Sequence, residues 1–202
     1  LQKLTAAKPD IADYPFTTLT PEPGMMEVSG VQIQLVEAPA VVEGAMEGRG
    51  LGAKPISLAR TADAVVLVVD ASQDPVHELE ILLREVGRAG IKLNRRPPGI
   101  RIEQRSTGGV EVSGAELVEG GERAVREILR DHGIFNAVVV IQEAVSVEEL
   151  EEAIAGATVY KKALVLVSKC DAPTAEENIR RLHERFGGLF EIIPVGPDLE
   201  NV

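Results

Sequence analysis

The chain holds one cysteine, no tryptophan and few aromatic residues, 3% in all, and each shortage excludes something. A lone thiol, Cys170, cannot close an internal disulfide, and no Cys/His cluster has the spacing of a zinc site. No apolar run approaches the ~18 residues that a membrane-spanning helix needs, and no basic-then-apolar leader opens the chain. The expectation is a cytoplasmic protein without a membrane partner. Basic side chains are also in deficit: 21 Lys and Arg face 32 Asp and Glu, a formal net charge of −11. Coating nucleic acid by bulk charge requires Lys and Arg to neutralise phosphates, so that class is excluded. What the chain does have is 45% apolar residues, many gathered into Val-, Ile- and Leu-rich runs that disordered chains lack. Its 202 residues suffice for one domain with a real core, or one domain carrying a smaller insertion.

Residues 31–36 alternate apolar and polar side chains, as a strand with one covered face does. Residues 64–69 form a continuous apolar run ending on Asp70, the pattern of a strand buried on both faces. Residues 163–167 repeat that pattern and end on Ser168-Lys169-Cys170-Asp171, and residues 189–195 make a fourth strand. Helical periodicity fills residues 76–89 and 175–186, with Pro75 and Pro173 near the starts. Buried strands alternating with helices predict a mostly parallel α/β sheet flanked by helices. Between them the sequence turns Pro-, Gly- and Arg-rich. A hairpin is expected there, with strands 99–105 and 109–112 turning near Thr107-Gly108. A helix over 122–132, a strand over 137–141 and a short helix over 147–154 follow. The predicted organisation is thus one α/β domain from residues 1–89 and 161–202, with an α+β subdomain, 90–160, inserted in it.

In an open parallel sheet, ligands bind beyond the carboxyl ends of the strands. Two such ends are unusual: Glu37-Ala38-Pro39-Ala40 and Ser168-Lys169-Cys170-Asp171. A third unusual stretch, Ala12-Asp13-Tyr14-Pro15-Phe16-Thr17-Thr18-Leu19-Thr20-Pro21, leads into the sheet. Each alone has a plain explanation. A Lys-x-Asp after a strand is often a solvated turn, Thr-Thr an ordinary strand start, and Glu37 a surface carboxylate at a loop entrance. Their order and spacing are more specific than any one of them.

Those segments resemble the developmentally regulated GTP-binding proteins, the archaeal and eukaryotic branch of the Obg-like GTPases. The resemblance also rests on Gly44-Ala45-x-x-Gly48-Arg49-Gly50-x-Gly52 and Ala59-Arg60-Thr61-Ala62-Asp63. Further carriers are Leu93-Asn94-Arg95-Arg96-Pro97-Pro98, Thr107-Gly108-Gly109 and His132-Gly133-Ile134-x-Asn136-Ala137. It implies a Ras-like G domain of the P-loop NTPase type, binding GTP or GDP with Mg²⁺ and with K⁺ as a further candidate ion. Thr17 and Thr18 match the switch I threonines, and Thr18 is the preferred Mg²⁺ ligand. Lys169 and Asp171 match the guanine-specificity motif. Val41 or Val42 stands where Ras-type GTPases carry a water-orienting glutamine. The resemblance further implies association with ribosomes and translation, and a dedicated protein partner.

Three positions depart from the family pattern. Switch II reads Glu37-Ala38-Pro39-Ala40 instead of Asp-x-Pro-Gly, so the Mg²⁺-water carboxylate is one methylene longer and the phosphate-facing residue gains a Cβ. If Ala40 needed positive φ, that would cost about 1–2 kcal/mol. Ser168 replaces the usual Asn. The phosphate loop Gly-x-x-x-x-Gly-Lys-Ser/Thr is not in these residues, and the opening Leu1-Gln2-Lys3-Leu4-Thr5 matches the helix that follows it in the family. The expectation is a segment cut after that loop and before the family's TGS domain. Lys92, Arg95, Arg96, Arg101 and Arg105 form a local basic cluster, read either as a contact for ribosomal RNA or as a solvated face with Glu103 interleaved. The function expected is a GTP-hydrolysing molecular switch; the alternative is a degenerate G domain acting as a non-hydrolysing binding scaffold.

Overall fold

The computed structural model describes residues 4–5, 22–49 and 54–196. The segment 12–21, with Thr17 and Thr18, lies outside the described residues. The chain divides into two compact units, residues 1–94 with 161–202, and residues 95–160.

The first unit opens with an antiparallel pair, β1 (Glu22–Val28) and β2 (Val31–Glu37). Ser29 and Gly30 join them with φ of 52° and 79°, the two positive values that give a two-residue turn the twist of its flanking strands. Pro23 and Gly24 hide β1 in the sequence, since proline is confined to edges and strand starts. Helix α1 (Lys54–Thr61) precedes β3 (Ala64–Asp70), and helix α2 (Pro75–Arg88) follows it. The α2 start is set by Asp74, whose carboxylate accepts the His77 N–H, and by Pro75 at the first helical position. The short β4 (Ile91–Leu93) comes next. The unit closes with β8 (Val159–Ser168), α5 (Ala175–Phe186) and β9 (Glu191–Pro194).

Strand β8 is the centre of this sheet. It pairs in parallel with β3 on one side and β9 on the other, and also with β4. Leu67 and Val69 of β3, Val165 and Val167 of β8, Leu79 of α2 and Leu182 of α5 share one core. The opposite face of β3 differs from the two-sided burial its sequence predicts: Val66 and Val68 remain 46% and 58% exposed. Helices α2 and α5 pack over the Leu67–Val69 side.

Asn94, at φ 51°, closes a gap in the ladder. Between the stretches where β4 and β9 pair with β8, its side-chain amide donates to the Ala163 carbonyl and accepts the Ala163 N–H, both at 2.8 Å. It donates as well to the Leu189 carbonyl at 2.8 Å, and its own N–H reaches the Lys161 carbonyl at 2.8 Å. One side-chain amide thus stands in for a peptide unit of a neighbouring strand. The insertion predicted to start at residue 90 leaves the first unit only after Asn94, because β4 belongs to the sheet.

The second unit holds β5 (Ile100–Gln104), β6 (Val110–Ser113), α3 (Gly121–Asp131), β7 (Ala137–Ile141) and α4 (Val147–Ala155). The expected hairpin is corrected here. Both strands exist, but β7 lies between them, antiparallel to β5 and parallel to β6. The cause is burial: Ala137, Val139 and Ile141 are buried along the most apolar strand of the unit, which takes the central place. The half-polar β5 and β6, carrying Arg101, Glu103 and Glu111, are left to its edges. Val125, Leu129 and Leu150 from α3 and α4 complete this core.

Candidate functional site

Strands β3 and β8 end side by side, with Asp70 in register with Ser168. The Ser168 hydroxyl donates to the Val69 carbonyl at 3.0 Å, so it is committed to the sheet. Lys169 then takes φ 56°, a left-handed conformation uncommon for lysine. Its ammonium lies 2.6 Å from the Asp70 carboxylate, 99 residues earlier in the chain. Asp70 also accepts from the Ser72 N–H at 2.8 Å and the Ser72 hydroxyl at 2.6 Å, while its own N–H donates to Glu78 at 2.9 Å.

Charges follow from these contacts. Burial alone would raise the Asp70 pKa, but the hydrogen bonds from Lys169 and Ser72 outweigh it and hold the carboxyl below its ordinary value. The bond that Lys169 donates to Asp70 raises the lysine's own pKa in turn. Burial pushes Glu78 up against the opposing pull of the Asp70 N–H. Burial also pushes up the Cys170 thiol, whose sulfur donates to the Val167 carbonyl, so it is a poor nucleophile.

Asp171 is exposed and makes no side-chain hydrogen bond among the described residues. The turn behind it is set by the Ala172 N–H, which reaches the Lys169 carbonyl at 3.1 Å, before α5 begins. From α5, Asn178 donates to the carbonyls of Ala71 at 2.9 Å and Gln73 at 2.7 Å, fixing the loop after β3. The rim therefore presents a free carboxylate, a tethered ammonium on a 63% exposed lysine stem, and a braced loop. A flat heterocycle with adjacent N–H donors suits that arrangement: the carboxylate accepts both, and the stem offers an apolar ledge.

The second predicted site segment follows β2. Glu37 is half-buried, Pro39 buried and Ala40 exposed. Ala40 has no positive φ, so the strain feared for a Cβ there does not arise in this conformation. Beyond it, Gly44 and Gly48, at φ 80° and 91°, bound a single helical turn over Ala45–Glu47. Among the described residues no group of three or more His, Cys, Asp or Glu could hold a metal, and Glu37's expected companion Thr18 lies outside them. Lys92 sits on β4 in the first unit, whereas the four arginines belong to the second. There Arg96 pairs with Glu143 at 2.9 Å, Arg105 with Glu111 at 3.7 Å and Arg101 with Glu103 at 4.0 Å, so much of that positive charge is locally balanced.

Asp70, Glu78 and Asn178 were not singled out in the sequence, although each shapes the rim. For Asp70 a signal existed: a carboxylate closing an apolar strand marks a sheet's carboxyl edge.

Residues 1–103 match the family model described as 50S ribosome-binding GTPase, and residues 107–196 the model for the C-terminal region of the MMR_HSR1 domain. An uncharacterized GTP-binding protein of Methanocaldococcus jannaschii is 38% identical over 196 residues, which cover 96% of this chain and 50% of that protein. Developmentally-regulated GTP-binding protein 2 of Mus musculus and its homolog in Dictyostelium discoideum are each 38% identical over 178 residues, covering 88% of this chain and 49% of theirs. The chain spans about half the length of the curated relatives it matches. With a GTPase domain matched over its first half and relatives of these names along most of its length, the chain belongs to the developmentally regulated GTP-binding protein family.

Proposed function

We propose that the protein binds GDP and GTP at the carboxyl ends of β3 and β8 and works as a slow GTP-hydrolysing switch on the ribosome, in the cytoplasm. The observation that supports guanine recognition is Asp171, an exposed carboxylate two residues beyond a lysine whose ammonium is tethered by Asp70. Guanine offers a ring N–H and an adjacent amino group to that carboxylate. Adenine places a lone pair where the ring N–H would be, so it is rejected. Thr18, with Thr17 as the neighbouring candidate, and Glu37 would hold Mg²⁺ through hard oxygen donors, which suit that ion. It would neutralise charge on the terminal phosphates. Ala40 keeps the backbone N–H that would meet the γ-phosphate, next to the buried Pro39. Val41 and Val42 have no group to orient water, which makes hydrolysis slow without a partner or a K⁺ ion.

The family description supports a ribosomal contact, for which Arg95, Arg96, Arg101 and Arg105 of the second unit, together with Lys92, are the candidates. A second reading, the non-hydrolysing scaffold, draws support from Ser168, whose hydroxyl is committed to Val69. Titrating the full-length protein with fluorescent GDP, GTP and ATP separates the two. The switch binds both guanine nucleotides and not ATP, and Asp171→Asn weakens GDP by about 10- to 150-fold, the worth of one charge-assisted hydrogen bond at ~1.5–3 kcal/mol. Equal binding of ATP, or an unaltered GDP affinity in the variant, would overturn the guanine reading. No nucleotide binding at all would favour the scaffold.

A further inference from the structure

Glu85 is a fully buried charged side chain in the first unit, and nothing in the nucleotide rim uses it. It sits on α2, and both its oxygens are turned toward the backbone of the Gly44–Gly48 turn. One accepts the Gly44 N–H at 3.1 Å and the other the Met46 N–H at 3.0 Å. Arg88 donates to the first oxygen at 3.2 Å, so the buried charge is paired as well as bonded. On either side, Arg84 pairs with Glu43, and Arg88 with Glu47 at 2.8 Å. One face of α2 is therefore given over to this turn.

An apolar residue at position 85 would fill the same space without the cost of desolvating a carboxylate. What it could not do is satisfy two converging N–H groups. The turn itself is stiff. Its bounding glycines take conformations that other residues adopt only with strain, and a Cβ on Gly44 would come within 2.7 Å of the Arg49 side chain. Ala45 is buried, and its N–H donates to the Val42 carbonyl at 3.0 Å. The position of the turn is thus passed to Val41 and Val42, directly behind Pro39 and Ala40.

We propose that Glu85 is a positioning residue: its carboxylate locks the Gly44–Gly48 turn to α2 and so fixes where residues 37–42 stand for nucleotide hydrolysis. The placement of residues 37–42 at the nucleotide rests on the function proposed above; the lock itself does not. It is a contact 39 to 41 residues long in sequence. Because it couples a helix to the segment that meets the terminal phosphate, a movement of α2 and a movement of switch II become one event.

The test is made on the full-length protein with Glu85→Gln, which keeps the shape but turns one acceptor into a donor facing an N–H. Arg88→Ala serves as a milder second variant that leaves the carboxylate in place. Hydrogen exchange of the peptide containing Gly44 and Met46 is read without nucleotide, alongside steady-state GTP turnover. Expected are exchange at least tenfold faster in Glu85→Gln and an intermediate change in Arg88→Ala. Turnover in Glu85→Gln should fall at least threefold in kcat with KM unchanged. Unaltered exchange in both variants would refute the lock. Faster exchange with unaltered kcat would reduce Glu85 to a structural residue and overturn the positioning role. If the unaltered protein turns over no GTP, the function proposed above fails, while the exchange result still decides the lock.

Discussion

Replacing Asn94 by alanine should weaken the first unit by about 3–4 kcal/mol, with the damage concentrated on one edge of β8. Three side-chain hydrogen bonds vanish: two donated to Ala163 and Leu189 carbonyls and one accepted from the Ala163 N–H. At ~1 kcal/mol net apiece these give about 3 kcal/mol. Asn94 also sits at φ 51°, where asparagine is tolerated and alanine costs roughly 1 kcal/mol more. Asn94→Gly relieves the backbone cost but does not restore the bonds, so it should recover about 1 kcal/mol relative to alanine. Asn94→Asp keeps the acceptor for Ala163 yet sets an anion against two carbonyls, and should not recover the loss. Urea unfolding followed by far-UV circular dichroism gives the magnitudes. At a slope of ~1–3 kcal/mol per molar, the alanine variant unfolds at least about 1 M earlier. Hydrogen exchange at the Ala163 amide assigns the loss to the sheet. A penalty under about 1 kcal/mol, or equal stability of the alanine and glycine variants, would refute the view that this side chain substitutes for a strand.

The remaining predictions concern charge. Glu85 has its pKa lowered, first by the Met46 N–H bond, then against burial by the Gly44 bond and the Arg88 and Arg84 charges. A native pKa below the unfolded 4.5 means its contribution is complete above that pH and is lost as pH falls through the native value. The difference in melting temperature between the unaltered protein and Glu85→Gln should therefore be constant near neutral pH and shrink below pH 4.5; a constant difference down to acid unfolding contradicts the assignment. For the ribosomal contact, reversing Arg95 and Arg96 to glutamate should weaken cosedimentation with ribosomes and flatten its dependence on salt. An unaltered salt slope would instead leave these arginines as a solvated face, with Arg96 serving its pair with Glu143.

Legibility in the sequence followed the range of the interaction. Strand β3 and helices α2 and α5 could be read closely because an apolar run, a 3.6-residue period and Pro75 are local signals. Strands β5 and β6 were likewise readable as strands, but their pairing was not. A short connection suggests a hairpin, and only the burial of β7 between them decides otherwise. Lys169 and Asp171 stand out in the sequence as a Lys-x-Asp closing an apolar strand, whereas the pairing of Lys169 with Asp70 spans 99 residues and carries no local signal. Glu85 was invisible for a different reason. On an amphipathic helix a glutamate signals a solvated face, and its burial follows from the turn packed against it. Asn94 could be quoted as part of a motif without its task showing, because a stand-in for a peptide unit exists only once the strands are assembled.

The bond from the Asn94 N–H to the Lys161 carbonyl has a topological meaning. The chain departs from the sheet and re-enters it at two points already joined by one hydrogen bond, so residues 95–160 form an excursion whose ends meet on the host. Lengthening or shortening such an excursion changes closure entropy only logarithmically, about 0.6 kcal/mol per doubling. The junction therefore works as a splice point. A second unit exchanged or enlarged at that junction leaves the register of β4, β8 and β9 untouched.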